Sequence, residues 1–246
     1  VGKTMSKISY NPDSPLAKDY AKTEFIGTDF IQETLLGEVL ISSVTGTIWL
    51  RIRWKYTWLK DGDVKDDWTP EEKSLFITNA YMAVCYEWNG RVFYSVSGTS
   101  DFAKKFQGKK LPFYIEILPV ESNAHWNVTV TKLNPGVDGY TFVRWADKFI
   151  QLDSNDVVAV ERCLGKLQDI CRSRSSVPHE IGHLLLLDDE YYNDDESDKV
   201  DKIYGEDADG LMNIGAELRP RYLEHVSVQL NAIIPDTHFS LMSVNG

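Results

Sequence analysis

Between Glu38 and Leu152 the chain alternates. EVLISS (38–43) leads into TIWLRIRWKYTWL (47–59), where Leu50, Ile52 and Trp54 take turns with Arg51, Arg53 and Lys55. A period of two marks strands with one buried and one wet face. RVFYSV (91–96), LPFYIEILPV (111–120), HWNVTVTKL (125–133), GYTFVRW (139–145) and KFIQL (148–152) predict further strands, with NPGVDG (134–139) as a turn. The period changes in TPEEKSLFITNAYMAVCYEWNG (69–90). Thr69 and Glu72 form a capping box, Pro70 suits the first helical position and Gly90 the stop, so a helix is expected.

After Leu152 the apolar spacing reads as helix again. Val157, Val160, Leu164, Leu167 and Cys171 predict one from about Asp153 to Arg172, broken by RSRSS. A short helix then carries VPHEIGH, with Pro178 in its first turn. A last helix, about 219–233, uses Leu223, Val226, Leu230 and Ile233. Residues 1–22 are polar and read as a loose lead-in. The whole predicts an α+β domain over 23–246: a mixed twisted sheet with an active-site helix (23–187), and a smaller C-terminal lobe (188–246) across a cleft.

Composition narrows the function classes. The formal net charge is −11, so nucleic acid is not an expected partner. No apolar run approaches the roughly 20 residues that span a bilayer. The first residues lack the apolar stretch of a signal peptide. The three cysteines are too few for a disulfide scaffold. Cys163 and Cys171, eight residues apart on the expected helix, would stand about 12 Å from each other and could not be bridged. The acids Asp194, Asp195, Glu196, Asp198, Asp201, Glu206, Asp207 and Asp209 read as a solvated loop, lacking the spacing of an EF-hand. His125 and His238 read as ordinary polar positions and the tryptophans as core.

His179-Glu180-Ile181-Gly182-His183 carries the candidate chemistry. On a helix, residues i and i+4 share a face, so both imidazoles can reach one zinc ion at about 2.0–2.1 Å. Glu180, beside them, can take a proton from a water activated by the metal. If the helix ends soon after His183 and the chain turns back, Asp189 supplies a third ligand. If the helix runs on, Glu190 lies about 10 Å along the axis and cannot. The ligand would then come from the last helix, from Glu217, Glu224 or His225.

With Asp189 the pattern is HExxHxxxxxD, which resembles the HExxHxxGxxH/D motif of the metzincin metallopeptidases. Leu186 stands where that motif has glycine, a residue that allows the turn at positive φ. GLMNIG (210–215) is similar to the clan's Met-turn, which places Met212 beneath the metal. DDEYY and LMNIGAELRPRYLEHV also resemble bacterial metallopeptidase domains with HExxHxLGxxDEY and MNxG…RxRH segments, found as toxin cargo and as extensions of VgrG-type spikes of type VI secretion. The resemblance covers roughly 177–231. It implies a zincin-like fold, a zinc cofactor, a protein or peptide substrate, and delivery out of the producing cell by a secretion-machine carrier, with an immunity or inhibitor protein as a further partner. It also implies that Tyr222 or His225 steadies the oxyanion of the intermediate. Two other readings share the residues: a zinc-containing binding or structural module without turnover, and a hydrolase of non-peptide amides.

Overall fold

The structure is a computed structural model that describes residues 28–134, 136–137, 139–163, 170–191 and 204–245. The lead-in, Leu164, Leu167, and the acids from Asp194 to Asp201 lie outside these.

The described residues form a mixed α+β structure on a nine-stranded sheet. In chain order its strands are β1 (Thr28–Glu33), β2 (Glu38–Ser42), β3 (Ile48–Lys60), β4 (Val92–Gly98), β5 (Leu111–Pro119), β6 (Trp126–Lys132), β7 (Phe142–Arg144), β8 (Phe149–Asp153) and, near the end of the chain, β11 (Thr237–Val244). Their order across the sheet is β11-β4-β5-β3-β6-β8-β7, with the β1–β2 hairpin added to β3. The long strand β3 organises the rest. Its first half pairs in parallel with β5 and its second half in parallel with β6, while β2 lies antiparallel on its start. The alternation read from the sequence is the pleat: Leu50, Ile52 and Trp54 are fully enclosed, while Arg51 and Arg53 face polar partners on the other side. His125 joins that face, accepting from the Arg53 N–H through Nδ1 at 2.9 Å and meeting Glu33 through Nε2 at 3.0 Å.

Helix α1 (Pro70–Trp88) buries Phe76, Ala80, Val84 and Trp88 against the sheet. The capping box is formed in both directions, at 3.2 and 2.8 Å. Past its end, Asn89 takes the place of a strand, bonding both the N–H and the carbonyl of Ile115 in β5. Strand β1, a six-residue helix, α2 (Asp101–Phe106), capped by Ser100, and strand β11 are additions to the elements expected from the sequence.

Residues 153–172 correct it. No helix forms over the described part of this stretch. Instead the Asp156 carboxylate accepts from the Asp153 N–H at 2.7 Å and from the Thr141 hydroxyl at 2.6 Å, closing a turn. Strands β9 (Val160–Cys163) and β10 (Cys171–Arg174) then pair as a separate hairpin. Cys163 and Cys171 sit directly opposite, 4.1 Å apart at Cα, and form a disulfide. Eight residues that separate two thiols along a helix bring them together across a hairpin. Val160, which opens β9, is a β-branched residue that suits extended backbone.

Helix α3 (Ser176–Leu184) follows, and helix α4 (Glu224–Leu230), preceded by a 3₁₀ turn (Pro220–Leu223), covers the β4 end of the sheet near β11. Within the expected C-terminal lobe, β11 returns to the sheet edge and pairs with β4. Among the described residues no helix is long and apolar enough to cross a membrane.

Candidate metal centre

Helix α3 is fixed before it begins. The Ser176 and Val177 N–H groups donate to the Asp156 carbonyl, and the Trp88 indole donates to the carbonyl of Pro178 at 3.0 Å. Every residue from Ser176 to Gly182 is buried, including Glu180 at 4% exposure and His179 at 2%.

The helix stops at Leu185 through an arrangement whose sequence signal is missing. Leu186 adopts φ +69°, a left-handed conformation that costs a non-glycine residue roughly 1–2 kcal/mol. The Leu186 N–H donates to the His183 carbonyl and the Leu187 N–H to that of Gly182, at 3.0 and 3.1 Å, the two bonds of a Schellman cap. The reversal brings Asp189 back over the helix. Its Oδ1 lies 2.9 Å from His179 Nε2 and 3.4 Å from His183 Nε2.

Each imidazole is oriented from behind. His179 Nδ1 is 2.8 Å from the Leu211 carbonyl and His183 Nδ1 is 2.8 Å from that of Leu187. A carbonyl only accepts, so in the neutral ring each Nδ1 carries the proton and each Nε2 presents a lone pair. Asp189 Oδ1 thus faces two acceptors, and it is a buried oxygen with no donor. Glu180 Oε2 is in the same position. His179, Glu180 and His183 also offer ligand atoms within 4.8 Å of one another. Lone pairs converging without a donor are matched by a cation. Tetrahedral coordination with bonds of about 2.0–2.1 Å spaces ligand atoms about 3.3 Å apart, close to the separations seen. The donor set fits a zinc-like ion, and the carbonyls at Nδ1 are the outer contacts such ligands use.

Burial lowers His183, but the Asp189 and Glu180 carboxylates outweigh it and raise the imidazole to about 9, so an ion bound at Nε2 would displace a proton. Burial and the Arg174 charge push His179 down to about 3. Asp189 is buried, yet the two imidazoles hold its carboxyl far below the usual range. Burial, helped by Asp156 and Asp189, lifts Glu180 to about 7 against His183 and Arg174.

Met212 packs against α3 at Gly182. A Cβ on Gly182 would stand 2.1 Å from the Met212 Sδ, so the glycine between the two histidines is what lets this fully buried side chain in. Glu190, next to Asp189, is not a ligand but an anchor. Its N–H donates to the Met212 carbonyl at 2.8 Å, and its carboxylate accepts twice from Arg221, at 2.7 and 2.8 Å, and once from the Tyr222 hydroxyl at 2.8 Å. Asn213 ties this loop to Tyr204 and Gly205.

That accounts for Tyr222, whose hydroxyl is bound to Glu190 and within 3.4 Å of the Met212 N–H rather than directed to the His–Asp cluster. His225 and Glu224 are exposed on α4, and the exposed Glu217 pairs with Arg219; none joins the cluster. The sequence reading did not single out two groups that do stand near it. The Tyr191 ring is 6.1 Å from that of His179, and its phenol is raised by burial and by the Asp189 charge. Arg174, at the end of β10, is buried beside Glu180. The second tyrosine position of DDEYY lies outside the described residues. No protein-family model, no curated protein and no solved structure significantly matches this chain.

Proposed function

We propose that this chain is a zinc-dependent peptidase of metzincin type with a zincin-like fold. The observation that carries the reading is Asp189 Oδ1 set between two imidazole nitrogens whose opposite nitrogens are committed to carbonyls. His179, His183 and Asp189 would hold the ion, and Met212 would underlie it. Zinc, when bound, supplies Lewis acidity toward water and a substrate carbonyl. Glu180 serves as the proton acceptor and later returns the proton to the leaving amine. Burial raises its carboxyl, the direction that makes it a better proton acceptor, and a bound cation would act against that rise.

The end of β7 is tied to α3, since the Trp145 indole donates to the His183 carbonyl at 2.7 Å. β7 is also the last strand of the sheet on that side among the described residues. An extended peptide pairing with its open edge would pass the centre. The Cys163–Cys171 disulfide suits an oxidising compartment, which supports a secreted or delivered protein. A carrier and an immunity or inhibitor protein rest on the resemblance alone.

The test measures zinc per chain and cleavage of a fluorogenic peptide library by wild type, Glu180→Gln and His183→Ala. The expected result is one zinc in wild type and in Glu180→Gln, a loss with His183→Ala, and a fall in cleavage of about 10²–10⁴-fold for Glu180→Gln. Unchanged cleavage in Glu180→Gln would remove the assigned base. Zinc without any cleavage would return the chain to the binding-module reading.

A further inference from the structure

The β9–β10 hairpin stands apart from the nine-stranded sheet, as a ribbon of two four-residue strands. A ribbon that short does not hold itself together in water. Its own pairing adds to the difficulty. Arg162 lies directly opposite Arg172, and like charges in that relation push the strands apart. The next pair along is Cys163 and Cys171, whose disulfide keeps the two arginines facing each other. The bond links residues only eight apart, so it constrains little of the unfolded chain and its effect is local.

Both arginines reach the elements that carry the metal centre. Alternation sets them on one face of the ribbon and the two cysteines on the other. Arg162 donates to the Ser176 hydroxyl at 3.3 Å, in the first turn of α3. Arg172 donates to the Asp209 carboxylate. Asp209 lies two residues before Leu211, whose carbonyl orients His179 from behind. The two are fastened together, since the Asp209 carbonyl accepts from the Glu217 N–H and the Glu217 carbonyl accepts from that of Leu211, both at 2.8 Å. The ribbon therefore ties the helix that carries His179 to the segment that aims it. Helix α3 depends on such ties, because Ser175 at its N-cap makes no side-chain cap bond. Neither contact is strong alone. A bond to a hydroxyl and a largely exposed ion pair contribute little unless the guanidiniums are held in place beforehand. Cys163 is exposed, so a reductant reaches the bond that holds them.

We propose that the Cys163–Cys171 disulfide is a redox latch on the metal centre, with Arg162 and Arg172 as its positioning residues: opening it loosens α3 from the Leu211 segment and weakens the hold on zinc. This rests on the metal reading given above. The opening step is thiol–disulfide exchange with a dithiol. One thiolate attacks a sulfur of the bond, and the second closes the reagent's own disulfide. Two electrons and two protons pass to Cys163 and Cys171, which leave as thiols.

The test compares three forms of the full chain. One has the disulfide closed, and one is opened with dithiothreitol and freed of it by gel filtration without air. The third is Cys163→Ser/Cys171→Ser, which cannot close and has no thiolates to take zinc with Glu161. Zinc affinity is read by competition with a chelator. Both open forms bind at least about tenfold more weakly than the closed one, as the loss of outer contacts to metal ligands implies. Arg162→Met/Arg172→Met, with its disulfide closed, matches the open forms. Linkage requires the reverse effect: saturating zinc lowers the reduction potential of the disulfide by about 30 mV for each tenfold. A further readout needs neither metal nor variant. In the zinc-free chain, hydrogen exchange at the Ser176 and Val177 N–H groups speeds up on opening, while that at Ile52 and Ile115 in the sheet does not change. Equal zinc affinity in open and closed forms overturns the latch, and so does α3 exchange that ignores the disulfide. A potential that zinc leaves alone or raises, or a loss of protection spread over α3 and sheet alike, also overturns it. If no form binds zinc, the metal reading fails by itself, and the exchange comparison still decides whether the ribbon braces α3.

Discussion

Ile52 in β3 and Asn213 beside Met212 are equally closed to solvent, and they are held in different ways. Ile52 sits in a continuous apolar cluster with Trp54, Ile115 and Val128. Asn213 sends its amide N–H groups to the carbonyls of Glu190, Tyr204 and Gly205, and its oxygen accepts from the Ile214 N–H. The sheet half gains its stability from burial, which is non-directional and divided among many side chains. The half that bears the candidate metal centre depends on directed contacts between named groups. A sheet of this kind tolerates reshaping at a cost in stability alone, whereas around Asp189 the loss of one contact moves a ligand.

The largest effect expected on stability belongs to the sheet. Phe113→Ala should cost about 3–5 kcal/mol in a denaturant melt, with zinc content unchanged; a loss of zinc in the folded variant would break the contrast. Glu190→Gln should cost less, about 3 kcal/mol, because Arg221 retains Asp207 at 2.7 Å. Here the zinc affinity should fall about 10–100-fold, read by competition with a chelator. If affinity holds, Glu190 does not position Asp189. Gly182→Ala forces a methyl against Met212 and should cost about 1–3 kcal/mol, with a drop in zinc affinity that Met212→Leu would not reproduce in full.

Leu186→Gly removes the left-handed strain but also a partly buried side chain. Its stability should lie within about 1 kcal/mol of wild type, whereas Leu186→Ile should be clearly less stable; equal melting of the two variants would mean the positive φ carries no penalty. The smallest effect is an acid one. The Arg219 and Arg221 guanidiniums hold Asp207 down at about 2, against an ordinary value of 3.8. A lowered carboxylate contributes stability above its unfolded value and loses it as pH falls toward the folded one. The Tm gap between wild type and Asp207→Asn should therefore be constant above about pH 4 and close toward pH 2. A gap that persists at pH 2 would show that the carboxylate charge is not its source.

Much of the sheet was legible because alternation reports the pleat directly, and α1 because its cap is written in neighbouring residues. The spacing HEIGH and the reach of Asp189 were legible for the same local reason. Asp189 was nonetheless one of several candidates, since Leu186 argues against the turn that delivers it. That turn is compensated by contacts sequence does not display: two cap bonds, and the Leu187 carbonyl serving His183. The pairing of β9 with β10 was not legible because apolar spacing over so short a stretch fits a helix equally well, and a pairing of cysteines is not written in their spacing. Arg174 gave no signal at all. Its burial is a product of the hairpin folding against α3, and in sequence it is one more basic residue in RSRSS. β11 was overlooked although THFSLMSV alternates, with Thr237 and Phe239 inward and His238 and Ser240 outward.

That strand bears on the order of assembly. The Met212 segment leaves the sheet side after α3 and is anchored downstream where Asn231 bonds both the N–H and the carbonyl of Phe239 in β11. Until β11 docks on β4, the segment from Leu211 to Leu230 lacks that downstream anchor, and ordering it is opposed by chain entropy. On a ribosome the sheet from β2 to β8 can collapse first, but the carbonyl behind His179 and the bond that holds Glu190 belong to residues made later. A chain that has not yet delivered β11 has its histidines in place and lacks the frame that aims them.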